Sequence, residues 1–384
     1  MHLATCPHQD RAFFDLLNQQ TDLDQRDNRG KTHSLPLVLM GVVMALLAGR
    51  DGNLSAIHRH MKNQFQALSL TLARQATRVI SRAQLPRLLA QVNYRLLAQL
   101  IQQHYGFSLP EGFANWLSGD GKELRGSIAK SQQRGDVCVS MVTHTQAVVA
   151  QTYYSGAKES ERPAIVKLLK DNDLMSRKIV LDALHLVPSL LDAIHLAGGT
   201  YLIGLKANQG LLRRLCLIQT LLHKPAFERV DEPVRGHGRI DQRSYRCYSL
   251  ADRTLARRWA ESGLTSVVVV TRVRQTLAGV ETAQTVSYFV TNRAMGSQSE
   301  ADSFYDAIQG HWSVEVLHYR RDVVLAEDAC RSKSSHLQRT LSSLRTLTMS
   351  LLQWLNPPNM AAQLQQFAER AQELIDFLRL KRVL

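Results

Sequence analysis

Three acidic residues stand where the local pattern gives a carboxylate a reason to be. Asp120 lies beside a glycine at the start of a sheet-forming region, Asp182 closes the short apolar strand Lys178-Ile-Val-Leu, and Glu315 rides on a late helix. On that helix His311, Glu315, His318 and Asp322 recur at i, i+4, i+7 and i+11, so four ionisable groups share one face. Trp312, Val316, Tyr319 and Val323 repeat the spacing and predict an apolar seam beside it. A solvated helix usually mixes Lys with Glu; this one gathers groups that bind metal or move protons. Three carboxylates brought together repel strongly unless cations sit between them. Oxygen donors choose hard divalent ions, Mg²⁺ or Mn²⁺. Two such ions, roughly 3.5–4 Å apart, can activate a water or a 3′-hydroxyl at a phosphodiester and stabilise the leaving oxygen. Taken singly, each acid reads first as a cap or a salt-bridge partner rather than a catalytic group.

The composition narrows the partners. At 384 residues the chain can hold two or three cores, and 45% apolar with 21% charged residues marks it as globular. Lys and Arg outnumber Asp and Glu by 47 to 33, a formal +14. An excess of that size, spread along the chain, points to a polyanion, most economically nucleic acid; membranes and acidic proteins are the other candidates. Five scattered cysteines without a Cys-x-x-Cys suit a reducing cytoplasm, and Cys6-x-His8 has no matching pair to complete a zinc site. The longest uncharged apolar run, Leu35 to Gly49, is too short for a bilayer span of about 20 residues and is interrupted by Pro36 and Gly41. Asp10, Asp15, Asp22 and Asp24 precede it, unlike the basic start of a secretion signal. A buried core helix is expected there, and no membrane association.

The elements that must position these residues follow in order. Residues 1–110 read as entirely helical, with a basic stretch (His58, Arg59, His60, Lys62, Arg74, Arg78) and Ser81 placed to cap the next segment. This region suits DNA binding. From 111 to 225 the grammar turns to sheet: strands at 137–142 and 147–154, a helix from 161, strands at 178–182 and 200–205, and a helix between them. A mixed sheet covered by helices is indicated. Residues 226–295 are β-rich, helices return at 296–345 with Ser299 as the expected cap, and 346–384 is a helical tail. In that tail Met360, Leu364, Phe367, Ala371, Leu374 and Leu378 predict one amphipathic helix packed on its own domain.

Five motifs occur in sequence order: Asp120-Gly-Lys-Glu-Leu-Arg-Gly-Ser127, Leu181-Asp-Ala-Leu-His185, Leu205-Lys-Ala-Asn-Gln209, His237-Gly-Arg-Ile-Asp-Gln-Arg243 and His311-Trp-Ser-Val-Glu315. Together they resemble the H-repeat-associated family of bacterial insertion-sequence transposases, within the DDE superfamily, over residues 20 to 345. The resemblance implies an RNase H-like α/β core, with an all-helical N-terminal region and a β-rich insertion before the glutamate. It implies Mg²⁺ dependence through two ions, with Mn²⁺ as substitute. It also implies cutting and joining of double-stranded DNA at an element's terminal inverted repeats and at target DNA, by paired subunits in the cytoplasm. Asp120, Asp182 and Glu315 match the catalytic and metal-binding triad. Lys206, Asn208 and Gln209 match a segment near the active site, and His311 takes the place of an arginine found in the wider superfamily. The chain departs from the pattern at Val316, at Tyr319, at Arg321-Asp322 and at Ser118-Gly119.

Further groups are expected around the triad. His185, three residues after Asp182, could line the site or cap a helix; Lys122 and His318 lie beside the acids in sequence. Arg239, Arg243, Arg246, Arg253, Arg257 and Arg258 form a basic run expected to touch phosphates. Glu327-Asp328 reads as a structural pair rather than the third acid. Two other functions share these residues: an inactive DNA-binding relic, and an RNase H-like nuclease without strand transfer.

Overall fold

A computed structural model describes residues 11–50, 52–73, 78–110, 112–128, 133–236, 238–250 and 258–384. Cys6, His8, Asp10, Arg74, His237, Arg253 and Arg257, all singled out above, lie outside the described residues. The first helices are α1 (Phe13–Gln19), α2 (Leu35–Leu47), α3 (Leu54–Thr71), α4 (Gln84–Leu89) and α5 (Tyr94–Tyr105). The sheet region follows with β1 (Trp116–Leu124), β2 (Asp136–Thr143), β3 (Val148–Ser155), α6 (Glu161–Asp171), β4 (Lys178–Leu181), α7 (Pro188–Leu196), β5 (Thr200–Leu205) and α8 (Gly210–Leu222). Then come β6 (Phe227–Val230), β7 (Val234–Gly236), β8 (Arg239–Ser249), β9 (Ser266–Thr276) and β10 (Glu281–Thr291). The chain ends with α9 (Gln298–Gly310), α10 (Trp312–Val323), α11 (Ser335–Leu355), α12 (Met360–Glu369) and α13 (Ala371–Leu380). The protein is thus mixed α/β, its ten described strands forming a mixed sheet. No described helix is long and apolar enough to cross a membrane. Contacts divide the chain into two compact units. One gathers the described residues of Met1–Phe113, Gly121–Ala164 and Glu315–Leu384; the other is Ala114–Asp120 with Ile165–Val314.

In the first unit the apolar run from Leu35 becomes α2, buried along its length. Ser34 caps it by accepting from the Leu37 amide, and Pro36 sits in the first turn, where its missing N–H costs nothing. Ser81 accepts from the Gln84 amide at 3.2 Å, as its spacing suggests. The antiparallel hairpin β2–β3 pairs Val137 with Tyr154 and Val139 with Thr152. The tail is two helices rather than one: α12 stops at Glu369 and α13 starts at Ala371, yet Leu364, Phe367, Leu374 and Leu378 are all buried within the unit.

The face of α10 differs from the expected one. Trp312, Tyr319 and Val323 are exposed, whereas Val314, Leu317 and Arg321 are buried. The reason is an ion pair that hydropathy scores as polar. Arg321 donates to Glu327 through Nη2 at 2.6 Å and Nε at 3.0 Å, and Arg345 of α11 approaches the same carboxylate at 3.8 Å. All three side chains are 1% exposed or less. One step outward, Lys122 pairs with Asp322 at 2.8 Å and with Asp328 at 3.4 Å.

The second unit is built on β1, β4 and β5, which run parallel, with β10 antiparallel to β5 and β9, β8 and β6 continuing the sheet; β7 also pairs with β8. Helix α9 lies along one face. It begins after Ser297, not Ser299: the Ser297 side chain accepts from the Glu300 amide, a Ser-x-x-Glu start. Phe304 and Ala307 pack on Trp116, Val180 and Leu202, while Ala301 and Tyr305 pack on Tyr245, Cys247, Val268 and Val270. The Trp116 indole N–H donates to Ser303 at 3.1 Å and fixes the contact.

Glu327 yields a stability prediction. Burial alone would raise its carboxyl pKa, but Arg321 and Arg345 overcome this and hold it at about 2. A folded-state pKa below the unfolded value stabilises at pH above the ordinary glutamate range, roughly 4.3, and that contribution is lost as pH falls through the folded value. Its share therefore fades between about pH 4 and pH 2. Glu327→Gln leaves two buried guanidiniums without their carboxylate and should cost about 3–5 kcal/mol of unfolding free energy at pH 7. Urea unfolding measures it, and a loss below about 1 kcal/mol would contradict this account of the network.

Candidate active site

Asp120 and Asp182 owe their proximity to strand register. Trp116, Leu117 and Ser118 pair in parallel with Lys178, Ile179 and Val180. The pairing ends there; strand geometry continued two residues past Ser118 and Val180 puts Asp120 level with Asp182. Neighbouring strands are about 4.8 Å apart, so the two residues leave the sheet side by side. Side chains alternate along a strand. Trp116 and Val180 pack against α9, so Ser118, Asp120 and Asp182 project to that same face. Two glycines permit close approaches. A Cβ at Gly121 would lie 2.5 Å from the Glu161 carboxylate, and one at Gly204 would meet the Ala183 amide at 3.3 Å, where β5 passes the turn after Asp182.

That turn, Ala183–His185, is held from both ends. Asp182 accepts from the Leu184 amide at 2.9 Å. Asn208 donates to the Ala183 carbonyl at 3.0 Å and Gln209 to the Leu186 carbonyl at 2.9 Å. The motif Lys206-Ala-Asn-Gln209 thus has a structural reason: its amides clamp the loop that carries the second aspartate. Lys206 is exposed at the end of β5. His185 is buried, with Nε2 at 3.8 Å from Asp182 Oδ1.

His311, where α9 ends, completes the cluster in this unit. Burial pushes its imidazole toward the neutral form, against the opposite pull of Asp120 and Asp182. His185 acts in the same direction as burial. Its Nδ1 is buried and finds no hydrogen-bond partner among the described residues. Two adjacent carboxylates beside a neutral imidazole are a hard-oxygen donor pair whose charge this histidine does not offset. Among the described residues no group of three His, Cys, Asp or Glu side chains stands ready to cage a metal. Mg²⁺ does not require one, since it is commonly held by one or two carboxylates with waters and substrate phosphates completing the octahedron. Asp120 and Asp182 fit that role.

The remaining expected residues fall elsewhere. Glu315 is exposed in the first turn of α10 and belongs to the first unit, as do His318 and Lys122. Lys122 is buried and engages carboxylates of the chain itself. In the insertion the basic run does not form one surface. Alternation puts Arg239 and Arg243 on the face of Tyr245 and Arg246 on the other, and Arg258 lies over the Trp259 ring at 5.5 Å. Asp241, which the motif from His237 to Arg243 includes, joins Arg239 through an ion pair, together with Arg272 and Arg274, to which the sequence assigns no role. The signal that would have found them is the β8–β9 register, which sets Arg272 opposite Arg243 and Arg274 opposite Asp241.

The chain is similar to proteins of known naming. It is 28% identical over 261 residues to protein YbfL of Escherichia coli K12, covering 63% of this chain and 68% of the relative. It is 27% identical, with the same coverage, to the H repeat-associated putative transposase YhhI of that strain. With the putative transposase YncI of Escherichia coli O157:H7 it shares 27% identity over 240 residues, 61% of this chain and 60% of the relative. No family model matches the chain. The chain that carries the five motifs is thus similar to proteins named H repeat-associated putative transposases.

If Asn208 clamps the turn, Asn208→Ala should cost about 1 kcal/mol of local stability. Hydrogen exchange at the 183–187 amides should then speed up about fivefold, with the β8–β9 amides unchanged. Unaltered exchange would show that the amide does not hold the loop.

Proposed function

We propose that the protein is a DDE transposase of an insertion sequence, cutting and joining DNA at the element's ends. The observation that carries this reading is the register that sets Asp120 beside Asp182 on the α9 face, next to His311, in a chain related to transposases. The parallel β1–β4–β5 core and the β2–β3 hairpin support an RNase H-like core. Glu315 is proposed as the third carboxylate, four residues past His311 in the sequence. The +14 excess of positive charge supports DNA as substrate; that it is double-stranded, at terminal inverted repeats and target, and that paired subunits act in the cytoplasm, follows from the motif resemblance.

In this mechanism Asp120 and Asp182 would hold the metal, and Glu315 would be the third carboxylate that the motif resemblance implies. Divalent ions bound there, Mg²⁺ or Mn²⁺, would activate the attacking water or 3′-hydroxyl and stabilise the leaving oxygen. Asn208 and Gln209 keep Asp182 in place by fixing its turn. His311, held neutral, keeps a competing positive charge away from the carboxylates. Lys206, exposed at the end of β5, is proposed to meet a phosphate.

Supercoiled plasmid carrying the element's ends, incubated with Mg²⁺, tests the reading. The protein should nick and join at those ends, EDTA should abolish the reaction, and Mn²⁺ should restore it. Asp120→Asn, Asp182→Asn and Glu315→Gln should each lower the rate at least about a hundredfold, more than loss of an outer metal-supporting contact costs. Retarded but intact DNA with the wild-type protein would replace this reading with a DNA-binding relic. Cutting without end dependence would replace it with a nuclease.

A further inference from the structure

The sheet face that carries α9 continues beyond it along β8 and β9. Tyr245, Cys247, Val268 and Val270 lie under the helix. Further along the same face, alternation brings Arg243, Asp241 and Arg239 on β8 with Arg272 and Arg274 on β9. Asp241 accepts from Arg239 Nε at 3.0 Å, and from Arg272 through Nε at 3.1 Å and Nη2 at 2.9 Å. Arg274 Nε stands 3.3 Å from the same carboxylate.

A pairing that only locks strand register needs one cation per carboxylate. Here three guanidiniums converge on one, and Arg243 sits directly across from Arg272, an arrangement of like charges that destabilises a sheet. Four arginines against one aspartate leave a net charge of three on one face. The group is not sealed off: the Arg239 and Arg274 side chains are 42% and 40% exposed. The nearby Arg229 is occupied differently, pairing with Asp231 and Asp306 and stacking over Tyr245 and Tyr305. The cost of crowding arginines at β8–β9 is offset when an anion shares them. A guanidinium carries five N–H donors, so one used by Asp241 keeps others for phosphate oxygens.

We infer that this end of the insertion is a platform for the phosphate backbone of duplex DNA, with Asp241 as the positioning residue that holds Arg239, Arg272 and Arg274 in place. The arginine hydrogen bonds keep the Asp241 carboxyl ionised, its pKa lowered to about 2, so the arrangement persists throughout the physiological range. The contact is independent of sequence, as phosphate contacts are. It rests on the DNA reading above but not on cleavage or on cognate ends.

The test is binding of the full chain to a fluorescent duplex of arbitrary sequence across a range of salt concentrations. Each phosphate contact contributes about 0.9 to the slope of log affinity against log salt. Arg243→Ala and Arg274→Ala should each reduce that slope by about one and weaken binding several-fold at low salt. Asp241→Asn raises the net charge by one, so simple charge attraction predicts tighter binding; the platform predicts binding at least about threefold weaker. Asp241→Asn that binds equally or more tightly would overturn the positioning role. Arginine variants with unchanged slopes would overturn the platform. Arg243→Ala removes none of the Asp241 pairs and serves if Asp241→Asn unfolds. Wild-type protein that fails to bind any duplex would instead defeat the DNA reading itself.

Discussion

Parallel pairing between β1 and β4 is the constraint on which the candidate site depends. Neither Asp120 nor Asp182 has a local reason to meet the other; 62 positions separate them in the sequence, and only the register Ser118↔Val180 carries both to the same face. A shift of one residue would turn one of them to the opposite face and dissolve the pair. Much of the second unit serves to prevent that shift. Trp116 anchors β1 under α9 through Phe304 and the Ser303 hydroxyl, and Asn208 and Gln209 hold the turn that follows β4. Helix α9 is therefore both the cover of the sheet and the element that delivers His311 to the aspartates.

The first unit solves a different problem. Its helix α10 carries Glu315 but buries Arg321 rather than an apolar residue, and the cost of that buried charge is met by Glu327. At Arg321-Asp322, where the chain departs from the pattern its motifs resemble, each residue has a partner: Arg321 takes Glu327, and Asp322 takes Lys122. The departure is structural, and it leaves the motif from His311 to Glu315 unchanged.

How much of this was legible beforehand follows the physics of each signal. The buried helix from Leu35 and the strands at 137–142, 178–182 and 200–205 were readable because burial and periodicity mark them locally. Strand β1 was not, since Ser118, Gly119 and Gly121 lower its intrinsic preference and neighbouring strands supply the stability. The seam on α10 was misread because hydropathy cannot foresee an arginine buried against a distant glutamate. The aspartates and the Lys206–Gln209 segment were visible as motifs, but the clamp on the Asp182 turn needed coordinates. The arginines of β9 carry no motif; only their register reveals that they share a face with Arg239 and Arg243.

The proposed chemistry requires that the acids on these strand ends gather a hard divalent cation. Iron(II) can replace Mg²⁺ at such a site, and with added hydrogen peroxide, and ascorbate to regenerate the ferrous ion, it yields hydroxyl radicals that cut the polypeptide nearby. The account predicts cuts clustered around residues 120, 182 and 315, suppressed by excess Mg²⁺ and lost in Asp182→Asn. Cuts elsewhere, or cuts at these positions that Mg²⁺ leaves untouched, would contradict it.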